Sequence, residues 1–127
     1  MIVNFWMSKS KNQLATSELS PDKFYSINFL NIDFILREKI NKKQIFELQT
    51  NLIERSGFNP MRTVGFFIPS IGSIGYSYTP TQKMYYKLSL TSFKSPVFII
   101  RCPATGKIID FEEISIQVEI RETNGWF

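Results

Sequence analysis

The chain contains no histidine. That removes the side chain that most often acts as a general base near neutral pH and most often ligates transition metals. Its single cysteine, Cys102, cannot form a disulfide within one chain, and no zinc site of the usual Cys/His kind can assemble from it. Serine–histidine and cysteine–histidine nucleophile pairs are excluded on the same ground. One cysteine also fits a reducing, cytoplasmic compartment. No apolar run approaches the roughly 18 residues that would span a bilayer. Asn31 and Asp33 break the one around Phe29–Leu36. The segment Met1–Met7 is short and lacks the basic lead of a secretory signal. Together these absences describe a non-enzymatic protein with no cofactor, no metal and no membrane association.

Acidic residues are also missing from a long stretch. Glu54 is the last carboxylate before it and Asp110 the first after it. Inside lie Arg55, Arg62, Lys83, Lys87, Lys94, Arg101 and Lys107, interleaved with aromatic residues. The net charge of +4 and the pI near 9.3 are therefore unevenly spread along the chain. A basic, aromatic surface attracts a polyanion, and single strands in particular use cations along the backbone path and rings on which bases stack.

What is present suits one domain over residues 1–127. Hydrophobic residues make up 43% and charged residues 20% of the 127, enough for a core without staples. Asn41–Ser56 carries the signals of a helix. Asn41 can cap it, Gln44 completes a capping box, and Ile45, Leu48, Leu52 and Ile53 fall on one helical face. Lys42 and Lys43 in its first turn face solvent, and Gly57 with Asn59-Pro60 ends it. Ser8–Asp22 is the most polar stretch and reads as a long loop after a strand at Met1–Met7.

The rest reads as strands. Phe24–Leu36 alternates on one parity up to Phe29 and on the other from Ile32, which requires a bulge near Leu30–Asn31. Further strands are expected near Thr63–Ile68, Ile74–Thr79, Met84–Phe93, Val97–Cys102, Ile108–Phe111 and Ile114–Arg121. In the last, Ile114, Ile116, Val118 and Ile120 share a dry face and Ser115, Gln117, Glu119 and Arg121 a wet one. The expected fold class is α+β: one amphipathic helix packed on a curved, mostly antiparallel sheet or partial barrel.

Three local patterns bear on chemistry. Asp110, Glu112 and Glu113 cluster between two strands and read as a solvated turn. Arg101–Lys107 is not a phosphate loop, because the first glycine is absent and Ile108 stands where Ser or Thr is needed. It reads instead as a hairpin turn beside a buried Cys102. Gly72-Ser-Ile-Gly75 matches a bare GxxG, but strands flank it where the nucleic-acid module has helices. Pro69–Pro80 therefore reads as an arm that offers Tyr76 and Tyr78.

The expected function is single-stranded nucleic-acid binding through one strand face. Tyr85, Lys87 and Phe93 lie on its wet side, Arg101 joins from the neighbouring strand, and Lys83, Tyr76 and Tyr78 line an edge. The alternative is a protein-binding accessory factor: an inhibitor, an immunity-like protein or a subunit of a larger assembly. Gly125-Trp-Phe127 supports it, since large terminal aromatics need cover. If the carboxylates of Asp110–Glu122 lie against the cations, the charge asymmetry is internal pairing instead of a binding site.

Overall fold

A computed structural model describes residues 1–8, 12–13, 19–37, 44–54, 61–72 and 75–123. The chain is built almost wholly from antiparallel strands in two sheets. The first sheet contains β1 (Ile2–Ser8), β2 (Asn12–Gln13), β3 (Phe24–Leu36), β6 (Ser70–Ile71), β7 (Tyr76–Tyr78), β8 (Tyr86–Lys87) and β11 (Phe111–Thr123). Its order is β2-β1-β11-β3-β7-β6, and β8 also pairs with β3. The second sheet contains β4 (Phe46–Thr50), β5 (Arg62–Phe67), β9 (Phe98–Cys102) and β10 (Lys107–Ile109), in the order β10-β9-β4-β5.

The two sheets stack face to face and share one core. Phe5 of β1 meets Phe98 of β9 with ring centroids 5.6 Å apart. Phe34 of β3 meets Phe46 of β4 at 5.5 Å, and Phe67 of β5 stacks on Tyr78 of β7 at 4.8 Å. Edge-to-face and offset ring pairs of this kind add to the burial that drives sheet packing. At one corner the sheets are stitched by backbone: Ser89 N–H donates to Leu52 O, and Glu54 N–H donates to Lys87 O, each at 2.7 Å.

The frame of the first sheet follows from alternation. β11 buries Ile114, Ile116, Val118 and Ile120 and turns polar groups outward. It runs antiparallel to β3 over almost the whole length of both. The register of that pair shifts between Gln117 and Val118, which leaves Leu30 as the extra residue and accommodates the change of parity expected in β3. The hairpin between β9 and β10 also matches expectation: Gly106 takes φ +70°, its N–H donates to Cys102 O at 2.8 Å, and Cys102 is buried.

The α+β expectation is wrong. Where Asn41–Ser56 is described, Phe46–Thr50 is a strand paired with β5 on one side and β9 on the other. The apolar positions of this segment satisfy both periods. Phe46, Leu48 and Thr50 recur every second residue, while Ile45, Leu48, Leu52 and Ile53 recur at helical spacing. Ile45 decides between them. A helical face would bury it with Leu48 and Leu52, yet Ile45 is 50% exposed while its neighbour Phe46 is completely buried, as alternation along a strand requires. Asn41, Lys42, Lys43, Gly57, Asn59 and Pro60 lie outside the described residues, as do most of Lys9–Glu18 and Gly125–Phe127. The only helix among the described residues is α1 (Leu90–Phe93), four residues long. None of these residues forms a helix long and apolar enough to cross a membrane.

Candidate binding surfaces

The residues expected to form a nucleic-acid face do not come together. The strand expected over Met84–Phe93 stops at Lys87, and the chain then turns into α1. Phe93 is consequently buried, 7% exposed, edge-on to Phe5, instead of standing on a wet face. Tyr76 is buried as well, stacked on Phe34 at 5.1 Å. Tyr78 is half-buried against Phe67. The Pro69–Pro80 arm therefore turns its tyrosines into the core, because β7 pairs with β3 and shares its inner face.

The remaining members carry partners. The Tyr85 hydroxyl donates to Glu119 Oε1 at 2.9 Å, and the Arg121 guanidinium lies 5.0 Å over the Tyr85 ring. The Glu119 carboxylate raises the Tyr85 phenol above its usual range, while the Tyr85 hydroxyl is the main cause that lowers Glu119. Lys83 is exposed nearby and contributes to the same lowering. Lys87 pairs with Glu54 at 3.3 Å. Arg101 lies on the other sheet, where its Nε donates to Glu47 Oε1 at 2.7 Å. The acids that meet Lys87 and Arg101 come from β4 and its C-terminal end. Within Asp110–Glu122, Glu122 pairs with Lys23 and Asp110 with Arg37.

The outer face of the second sheet is different, and sequence reasoning missed it. Register places Phe66, Glu47, Arg101 and Ile108 side by side in one row across β5, β4, β9 and β10. Phe66 is 59% and Ile108 62% exposed. Ile45 and Ile68 are exposed beside this row, and Val97 is exposed at the far end, just before β9. Glu47 lies low among them, only 3% exposed. Burial pushes its carboxyl up, but the Thr63 hydroxyl, which donates at 2.6 Å, and Arg101 together outweigh burial and hold it below the usual carboxylate value. This face carries exposed apolar side chains around a central polar cluster in which Thr63, Gln49 and Arg101 meet Glu47. The signal was in the sequence: Phe66-Phe67-Ile68, Val97-Phe98-Ile99-Ile100 and Ile108-Ile109 are continuous apolar runs. A strand with one wet face alternates, as β11 does, whereas continuous runs belong to strands covered on both faces.

Two concavities are lined by described residues. One is an open groove of about 520 Å³ on the outer face of the first sheet, beside the β6–β7 hairpin. It is lined in part by Trp6, Asp33 and Glu113, and Trp6 Nε1 donates to Glu113. Its carboxylates make it unsuited to a polyanion. The other, about 220 Å³, opens between the two sheets beside β5. Among the described residues no cluster of three or more His, Cys, Asp or Glu side chains is placed to hold a metal ion. No known protein family, curated protein or solved structure matches the chain.

Proposed function

We propose that this chain is a non-enzymatic accessory factor that binds a protein through the outer face of its second sheet. The observation that carries the reading is the row Phe66–Glu47–Arg101–Ile108, apolar and exposed at both ends, with Ile45 and Ile68 exposed beside Phe66. Exposed apolar side chains gathered on one face mark contact surfaces. The Glu47–Arg101 pair, buried on its carboxylate side, supplies fixed polarity at the centre of such a contact. A partner with an apolar patch and net negative charge complements this face, whereas a second copy brings another net charge of +4 against it. Single-strand binding through Tyr85, Lys87, Phe93 and Arg101 has less support. One ring is in the core, another already has a cation on its face, and the two cations are paired and lie on different sheets.

The test is purification of the tagged protein from its native host beside Ile108→Glu. Ile108 is a surface residue, so the change leaves folding intact. The expected result is one partner at fixed stoichiometry that survives nuclease treatment and is lost in the variant. Equal recovery with the variant, or nucleic acid removed by a salt wash in place of a protein, would overturn the reading.

A further inference from the structure

The 220 Å³ cavity between the sheets has a structural cause in the sequence. β5 turns Gly65 and Phe67 toward the core, opposite Leu48 and Phe46. Gly65 therefore occupies an inward position where a strand ordinarily carries a side chain. A Cβ built on it meets no atom within 4 Å. Its backbone does not need glycine, since the only glycine with positive φ among the described residues is Gly106. Glycine inside a strand often marks a bulge or the close approach of a ligand or another backbone, and here the bulge of β5 at Val64 lies next to Gly65.

The opposite wall is equally specific. β3 pairs with β8 at Ser26 and Ile27 and with β7 from Ile32 to Phe34. Between them, residues 28–31 have no strand partner on that edge among the described residues. The connection from β7 to β8 crosses this gap held by side chains: Thr79 Oγ1 donates to Asn31 Oδ1 at 2.7 Å, and Met84 N–H donates to Asn28 Oδ1 at 3.2 Å. The connection thus roofs the cavity without filling it. Phe29, Phe67, Tyr78 and Tyr86 line the interior, Met84 and Gln82 border it, and no lining residue carries a charge. Gln82 is exposed and makes no hydrogen bond with the described residues, which leaves its amide available at the rim.

We infer that this cavity is a binding site for a neutral, compact apolar molecule of about two fused aromatic rings. The volume sets the size. It exceeds the roughly 150 Å³ of a cavity known to take benzene and falls short of the roughly 300 Å³ at which drug-sized pockets begin. The lining sets the chemistry, because rings and aliphatic carbons reward apolar contact, while no cation or carboxylate is present to offset the desolvation of a charged ligand.

2-Naphthol titrated into nitrogen-15-labelled protein tests the inference, with the charged 2-naphthoate as control. The expected result is saturable shifts at the amides of Val64, Gly65 and Tyr86, with a dissociation constant below about 1 mM. 2-Naphthoate should bind at least about tenfold more weakly. Gly65→Leu should abolish the shifts while keeping or raising the unfolding midpoint, because it fills open space. Met84→Trp, at an exposed position on the rim, should weaken binding by obstruction and serves if the first variant does not fold. Shifts that do not saturate, shifts scattered over the surface, equal binding of 2-naphthoate, or full binding by a folded variant would each overturn the inference.

Discussion

Replacing Glu47 with Gln should lower stability at pH 7, and the loss should shrink as pH falls below 4.5. The side chain lies under the outer face of the second sheet, where Thr63 and Arg101 both donate to its carboxylate. The amide keeps the shape and can still accept from Thr63, but it loses the charge. Hydrogen bonds to a charged group contribute about 1.5–3 kcal/mol when buried. The Arg101 side chain is 35% exposed, so solvent screening reduces its share. A net loss of roughly 1–2 kcal/mol follows at pH 7. The folded-state value of Glu47 lies below its usual 4.5. Its contribution is therefore complete above that value and fades as pH falls through the folded one. Urea unfolding followed by far-ultraviolet circular dichroism reads this directly. With a slope of about 1–3 kcal/mol per molar urea, the midpoint should drop by roughly 0.5–1 M at pH 7. Equal midpoints at pH 7, or a gap that does not shrink as pH falls below 4.5, would refute the reasoning.

Three other perturbations separate this structure from its alternatives. Gly75→Ala should cost about 1–3 kcal/mol, because the added Cβ would lie 2.5 Å from the Phe34 carbonyl oxygen; an unchanged thermal midpoint would contradict the close approach of β7 to β3. Phe93→Ala should cost about 3–5 kcal/mol in chemical denaturation, as a core ring would, whereas a solvent-facing ring would cost almost nothing. Changing Lys87 and Arg101 together to Glu should destabilise the fold, since each new carboxylate would face Glu54 or Glu47; a double variant as stable as the parent would show that these pairs are absent.

The legible part of the fold was the part where one period ruled. β11 alternates without interruption, and its partner β3 shows its bulge as a change of parity at Leu30–Asn31. Both follow from a sheet with one dry and one wet face. The segment around Phe46 was not legible because two periods coincide there, and the choice between them depends on β5 and β9, which are distant in sequence. Met84–Phe93 failed for a related reason. Its alternation continues past Lys87, but the chain leaves the sheet there to form α1, and this carries Phe93 into the core. The expected face does not assemble because an acid-free stretch of sequence does not make its cations unpaired in the fold. Lys87 and Arg101 find their carboxylates in β4 and at its end, outside the acid-free stretch. The continuous apolar runs at Phe66–Ile68 and Val97–Ile100 underlie the proposed protein contact instead. A run on both faces of a strand needs cover on both, and among the described residues Phe66 and Ile68 stay exposed on one.

Site-specific photocrosslinking in the native host tests the working surface most directly. A benzoylphenylalanine at position 66 probes the second sheet, and one at Lys83 probes the exposed basic edge of the first. The account predicts a single adduct from position 66 that is sensitive to protease and resistant to nuclease, with none from position 83. A nuclease-sensitive adduct, or crosslinking from position 83 and not from 66, would contradict it.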